Sequence, residues 1–432
     1  MLDMTSHGVL HNKQFLWLWI GSTVSLVGTS GAHIAYPLLV LTLSGSPVFA
    51  GWVAFAVLLP AILLQVPAGL VADHSNRRHV MLGCQAVGAL GAALVTIGVY
   101  YNVSFLLAVL LMVAFVEGSL SVVFTVAQVA AIRDVVSEEQ RASAFGWYET
   151  QQPSSRLVGR AIGSALFGVT HWLPFAVNFA SYVGTLGTLL LLRPSRFEPR
   201  RQSGRPDANS TWVNVSRGFR WVWSIPFVRD AALIVGALNA VFQVVILVVI
   251  VAGHDANWPS WMVGMVLAST GVGGILGGLV APRLNRRFPP RLVFAAGTAC
   301  WALFLLMFAT TTNAGVVALA WTGVGAVGAV TNVAVSVYLV EAVPDAVFGQ
   351  AVGGVAMLNT MAVPLGPIVG GYLIDAWGTR ATGWLLFCAT LAVAIFANRR
   401  LRANRGGGHG LALVSGDQLD PDDMNRQQSA VR

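Results

Sequence analysis

The sequence predicts an all-α membrane protein: twelve transmembrane helices in two six-helix pseudo-repeats, with the N- and C-termini both on the cytoplasmic side. Three observations predict it. Of 432 residues, 56% are hydrophobic and only 10% charged, whereas a soluble domain carries about 25% charged residues. Long apolar runs recur along the chain, each near the ~20 residues that a membrane-crossing helix needs. The two halves of the chain also repeat one another.

The runs begin near Phe15, Val48, Val80, Phe105, Phe145 and Leu173, and after a polar gap near Val228, Trp258, Leu292, Val316, Ala351 and Gly383. Glycine and proline inside them do not exclude helices, because neighbouring helices re-satisfy the backbone in a membrane bundle. Residues 1–14 form a cytoplasmic N-terminus. They lack the charged-then-apolar pattern of a cleaved leader, so the first run is expected to stay in the membrane. Residues 15–192 form the first bundle and 228–398 the second. Between them, residues 193–227 form a basic linker. Its TWVNVSRGFRWVW segment mixes tryptophan with arginine, as an interfacial amphipathic helix under anionic lipid would. Residues 399–432 form a cytoplasmic tail, glycine-rich and then acidic, with the composition of a disordered segment.

Charge sets the orientation, because Lys and Arg concentrate in cytoplasmic loops. With the N-terminus inside, 23 of the 26 basic residues fall in inner segments and one, Arg380, falls in an outer loop. The other two, Arg156 and Arg160, lie within the fifth run. The arginine-rich linker suits lipid headgroups better than nucleic acid, because it is juxtamembrane and carries tryptophan.

Several chemistries are excluded. Lys13 is the sole lysine and follows no glycine run, so there is no phosphate-binding loop and no other amine for a Schiff base. Cys84, Cys300 and Cys388 lie in apolar stretches without metal-ligand spacing. No nucleophile or zinc-hydrolase motif is present. The reading is a non-enzyme with no cofactor and no metal, and a monomer.

The repeat is direct. GLVADHSNRR from Gly69 and GLVAPRLNRR from Gly278 share seven of ten positions at an offset of 209, and GRAIGS from Gly159 matches GPIVGG from Gly366 at an offset of 207. Parallel halves around an axis along the membrane normal are a known transporter plan, with the substrate site between the halves near the midplane. In the second pair, Gly159, Gly163, Gly366, Pro367 and Gly370 are read as helix-packing residues, since small residues four apart let helices approach closely.

At these residues the chain resembles the major facilitator superfamily. GLVADHSNRR is similar to the family signature G-x-L-A-D-R-x-G-R-R/K between helices 2 and 3: Gly69, Ala72, Asp73, Arg77 and Arg78 match. His74 replaces a basic residue. Asn76 replaces a glycine, and asparagine tolerates the left-handed turn that glycine usually supplies. The segments LPAILLQVPAGLVAD, RDVVSEEQRASAFGWYE and SSRLVG resemble the drug and siderophore exporter branch, which includes macrolide-efflux and enterobactin-exporter-like proteins. The resemblance implies a gating motif of Gly69, Asp73, Arg77 and Arg78, with Asp134 as the acid paired to the basic residues and Asp73 bracing helices 2 and 11. The second-half copy has Pro282 at the Asp73 position, which implies a weaker brace there.

Charges within the spans default to function because burying them is costly. Glu117 sits near mid-membrane in the fourth run. Arg156 and Arg160 lie at similar depth in the fifth and share a helix face. An ion pair with Glu117 is one reading. The other has Arg160 facing a substrate cavity, with a preference for an anionic or carbonyl-rich ligand, and leaves Arg156 between structural and substrate-contacting roles. Glu117, His33 and Glu149 are the proton-coupling candidates. The branch often has a helix-1 acid after the glycine, where this chain has Gly28 and Thr29. Asn239, Gln243, Asn332 and Asn359 join Arg156 and Arg160 as cavity candidates, or else hydrogen-bond neighbouring helices.

Together these readings predict a multi-pass transporter of the cytoplasmic membrane. It would export an amphiphilic small molecule (drug, antibiotic or siderophore-like) by alternating access in exchange for protons, with substrate, protons and membrane lipids as partners and no nucleic acid. The alternatives are a metabolite importer or uniporter, and a non-transporting receptor or scaffold.

Overall fold

The computed structural model describes residues 9–194, 222–223, 225–343 and 345–403. The linker's amphipathic-helix expectation, apart from Val222 and Trp223, and the tail's expected disorder lie outside these residues. Every long element is helical. In chain order they are α1 (Lys13–Ser44), α2 (Pro47–Leu58), α3 (Pro60–Leu63), α4 (Gln65–His74), α5 (Arg77–Tyr100), α6 (Leu106–Val135), α7 (Glu138–Val169) and α8 (Leu173–Leu190), then α9 (Pro226–Asp255), α10 (Ser260–Arg287), α11 (Pro290–Thr310), α12 (Ala314–Ala342), α13 (Asp345–Met361) and α14 (Leu365–Ala403).

Local chemistry sets the ends. Asn12 and Asn313 accept hydrogen bonds from the first free N–H groups of α1 and α12, the usual service of an N-cap side chain. Gly45, at φ 65°, closes α1 in the left-handed region. Ser46 and Pro47 then start α2. Asn76 departs from expectation. It is extended (φ −65°, ψ 110°) and caps α5, accepting from the Arg78 and His79 N–H groups. The position calls for a cap rather than a left-handed turn.

Among the described residues, nine helices are long and apolar enough to cross a membrane. The remaining expected spans fail that criterion for visible reasons. The second is cut into α2, α3 and α4 around Pro60 and Leu64. The fifth, α7, carries Glu138, Glu139, Arg141, Glu149, Arg156 and Arg160, and starts seven residues before its apolar run. The last two share the single apolar stretch Val352–Arg399, which is interrupted by a turn at 362–364 and breaks again at Gly378 (φ 76°, ψ 170°). Apolar side chains such as Leu90, Ile97, Leu303 and Leu319 stand more than half exposed on the outer face, as expected where the surroundings are lipid rather than water.

Within the first half, α1 packs on α7 and α8, and α5 on α6 and α8. Within the second, α9 and α11 pack on α14, and α10 on α12. The repeated glycines make the closest approaches. A Cβ on Gly163 would fall on the Gly31 backbone of α1, and one on Gly159 on the Val27 carbonyl. In the second half, Gly366 and Gly370 sit likewise against Ala240 and Val244 of α9.

The halves meet chiefly along α2–α14 and α7–α10. Gly51 and Pro47 of α2 lie against Pro367 and Gly371 of α14, and Gly264 of α10 lies against Ser164 of α7, whose hydroxyl donates to the Ser260 carbonyl. Near the end that carries Arg77, Arg141 and Arg286, a Cβ on Gly69, Gly146, Gly274 or Gly278 would meet nothing within 4 Å.

Gly163→Ala is expected to destabilise the protein by about 1–3 kcal/mol through overpacking against α1. Gly146→Ala, on the same helix in open space, is expected to be neutral or mildly stabilising. Thermal unfolding of the purified variants checks the contrast, and equal behaviour would refute the packing account.

Candidate functional site

Between the halves lies a cavity of about 350 Å³, within the ~300–1,000 Å³ usual for small-molecule sites. α1 contributes Thr29, Ser30 and His33, α6 contributes Ser121 and Thr125, α7 contributes Arg156 and Arg160, and α9 contributes Gln243. Val57, Leu58, Val122, Ile246, Leu247 and Ile250 supply apolar wall. Arg160 and Pro367, equivalent positions in the repeat, both line it.

The charged groups separate rather than pair. Arg156 is exposed to the cavity, and its one hydrogen bond, to Gln152 Oε1, is long at 3.4 Å. The Arg160 guanidinium has no hydrogen bond or ion pair among the described residues. His33 is half-buried, and its Nε2 is buried without a partner.

Glu117 does not pair with either arginine, which removes the ion-pair reading. Its carboxylate is buried (1% exposed) behind the cavity wall. It accepts from Tyr36 Oη at 2.9 Å, Asn178 Nδ2 at 3.0 Å and Tyr182 Oη at 3.5 Å. Thr29, a cavity residue, donates to Tyr182 Oη at 3.3 Å. A hydroxyl chain thus runs from the cavity to the carboxylate. Tyr36, Asn178 and Tyr182 were not among the sequence candidates. The signal was present: a mid-span acid must be satisfied in low dielectric, and Asn178 and Tyr182, four apart, share one face of an otherwise apolar helix.

Other candidates lie elsewhere. Glu149 is exposed on α7, outside the cavity lining. Asn239 donates to the Asn359 carbonyl at 3.0 Å, and with Asn332 it lines a separate recess of about 40 Å³. The Asn359 side-chain oxygen is buried without a partner. A membrane-buried amide takes the nearest backbone acceptor, so Asn239 serves helix packing, while Gln243, one turn on, reaches the cavity. On the inner side of the first half, Gln128 and Gln151 bond to each other and to Ser22, joining α1, α6 and α7.

At the arginine-rich end, Arg77 Nη1 donates to Asp134 Oδ2 at 2.6 Å, tying α5 to α6. Arg78 acts differently. It is buried, and it donates from Nε to the Leu189 carbonyl and from Nη2 to the Leu190 carbonyl, capping the last turn of α8. Gly69 lies in α4 beside open space. The Asp73 side chain lies outside the described residues, so its brace to helix 11 is untouched by these contacts.

The model of the family described as Major Facilitator Superfamily matches residues 18–287 and 231–409. The chain is 25% identical over 383 residues to the multidrug efflux pump Tap of Mycolicibacterium fortuitum, across 84% of this chain and 90% of that one. It is 23% identical over 197 residues to macrolide efflux protein A of Streptococcus pyogenes, across 45% and 48%. Among solved structures it is similar to the nucleoside transporter NupG (TM-score 0.72, 13% identity, 90% of this chain and 99% of that one). It is also similar to a bacterial homologue of the iron transporter ferroportin in its inward-facing state (TM-score 0.64, 17% identity, 92% and 99%).

A double-mutant cycle of Arg77→Ala and Asp134→Ala, read by thermal unfolding, is expected to give a coupling of about 0.5–3 kcal/mol. Additive effects would mean that the contact carries no stability.

Proposed function

The chain belongs to the Major Facilitator Superfamily, a family of transporters, and from that premise we propose that this multi-pass cell-membrane protein exports amphiphilic small molecules by alternating access in exchange for protons. The single observation that carries the proton reading is Glu117, sealed from the cavity except through Tyr182 and Thr29. The efflux proteins similar to it support the outward direction.

In this reading there are twelve spans: α2–α4 form the second, α13 with the first part of α14 the eleventh, and the rest of α14 the twelfth. The bundles are residues 15–192 and 228–398, with both termini cytoplasmic. The cavity then opens to the cytoplasm, and ligand enters there against Arg156, Arg160 and Gln243. Glu117 releases its proton inward through Tyr182 and Thr29 as ligand loads, and takes one from outside as ligand leaves. Arg77, Asp134, Gly69 and Asp73 act at the cytoplasmic gate. Arg78 acts chiefly by holding the end of α8. His33 is the second titratable group on the path, since histidine changes charge near neutral pH. The protein works as a monomer.

The test is accumulation of unrelated fluorescent amphiphiles in inside-out vesicles, with and without a collapsed proton gradient. Gradient-dependent uptake is expected. Glu117→Gln is expected to lower it to the level of vesicles lacking the protein and to flatten its pH dependence, and Tyr182→Phe to slow it. Gradient-driven uptake unchanged in Glu117→Gln would remove Glu117 as the coupling group. Equal counterflow with no gradient would favour a uniporter.

A further inference from the structure

We propose that the cavity is an anion-selective site, and that its ligand is an amphiphile bearing a carboxylate, sulfonate or phosphate beside an apolar body. This rests on the transporter reading but not on proton coupling or direction. Arg156, Arg160 and His33 all line the cavity, and among the described residues no acid lines it with them. Neither guanidinium has an ion pair among the described residues, whose ion pairs are Arg77–Asp134, Arg141–Glu138 and Arg229–Asp230.

Glu117, the acid of α6, is already occupied. Tyr36, Asn178 and Tyr182 engage its oxygens behind the wall. A cation kept at mid-membrane is costly, and two are kept here: among the described residues Arg160 has no hydrogen bond and Arg156 only a long one to Gln152. The repeat sharpens the point. The position equivalent to Arg160 is Pro367, which packs on Gly51 without any charge, so the fold itself does not need an arginine there. A planar guanidinium with free donors matches a carboxylate, sulfonate or phosphate in two parallel hydrogen bonds. His33 lines the same cavity, and its Nε2 has no partner among the described residues. The opposite wall, Ile246, Leu247 and Ile250 of α9 with Val57 of α2, suits the apolar part.

The test uses the full chain in lipid nanodiscs and a matched probe pair: 1-anilinonaphthalene-8-sulfonate and N-phenyl-1-naphthylamine, which share an arylaminonaphthalene body and differ by the sulfonate. Rhodamine 6G is the cationic probe. Binding is measured by calorimetry with empty nanodiscs subtracted. The sulfonate is expected to bind at least about tenfold more tightly than its neutral partner, the range of a charge-assisted hydrogen bond. Arg160→Gln is expected to erase that margin while leaving the neutral probe's affinity unchanged, and Arg160→Lys to retain part of it. Arg156→Gln is expected to act in the same direction.

Equal affinity for the two naphthalenes would overturn the proposal, as would preference for the cation. Equal weakening of both by Arg160→Gln would assign the arginine to cavity shape. Competition by sodium sulfate as strong as by the amphiphilic anion would reduce the site to one for inorganic anions and overturn the amphiphile assignment. Binding by none of the probes would overturn it also. Vesicle uptake of neutral or cationic amphiphiles in the face of such results would leave the export reading standing, so the two failures are distinguishable.

Discussion

A carboxylate at the middle of a membrane protein has to be satisfied or neutralised, and the way Glu117 is satisfied organises the first half of this molecule. Its partners come from α1 and α8, while Glu117 itself is on α6. Those bonds fix the rotation of α1, and three faces of that helix are thereby set at once. The face with Tyr36 and Thr29 turns to the acid. Gly31 turns to Gly163 of α7. His33 and Ser30 turn to the cavity. A small rotation of α1 would break the Tyr36 bond to the carboxylate and also bring a bulkier residue than Gly31 against the α7 backbone. Polar satisfaction and glycine packing therefore specify the same geometry from two sides, the agreement between levels that marks a well-determined fold.

The parts of this arrangement legible in the sequence are those that depend on local pattern or charge. Apolar runs located the helices, and the paired glycines at 159/163 and 366/370 gave the close contacts. The Arg77–Asp134 contact followed from the signature segment that carries Arg77. Other features depended on contacts across the bundle. Nothing local distinguishes Arg77 from Arg78, yet one meets an acid and the other the end of α8, because consecutive residues on a helix point about 100° apart. The early start of α7 was hidden because its first turns are polar, and hydropathy reports burial rather than helicity. Tyr36, Asn178 and Tyr182 were invisible individually, since a tyrosine or asparagine in an apolar run has many possible partners. They become legible only once the acid is asked what holds it.

The two halves share a packing scheme and differ where charge enters. Gly366 and Gly370 repeat what Gly159 and Gly163 do, and α2–α14 repeats the α7–α10 contact. At the centre of this shared scheme Pro367 is replaced by Arg160. Substituting a proline by a long cation leaves the helix contact intact, because the neighbouring small residues make that contact. The altered side chain is free to project into the cavity. Asymmetry in a duplicated fold is most informative at such positions, where packing is indifferent to the difference.

The charge of the cavity also bears on energetics. Each unit charge moved across the membrane is worth about 2.3 kcal/mol per 100 mV. An outward-moving monovalent anion travels with an inside-negative potential, and a proton exchanged for it moves positive charge inward, so both legs draw on the same potential. A cationic ligand exchanged for one proton would instead cancel the two movements. The site's chemistry fits this economy of charge. In the proposed site the arginines would hold an anion without displacing Glu117 from its tyrosines, because the carboxylate lies behind the cavity wall. Under the proposed exchange, proton and ligand would influence one another through Thr29 and Tyr182 and through the position of α1, rather than by competing for one group. The exporter proposed above would need its acid insulated from the cavity, and the Tyr36–Asn178–Tyr182 enclosure would serve as that insulation.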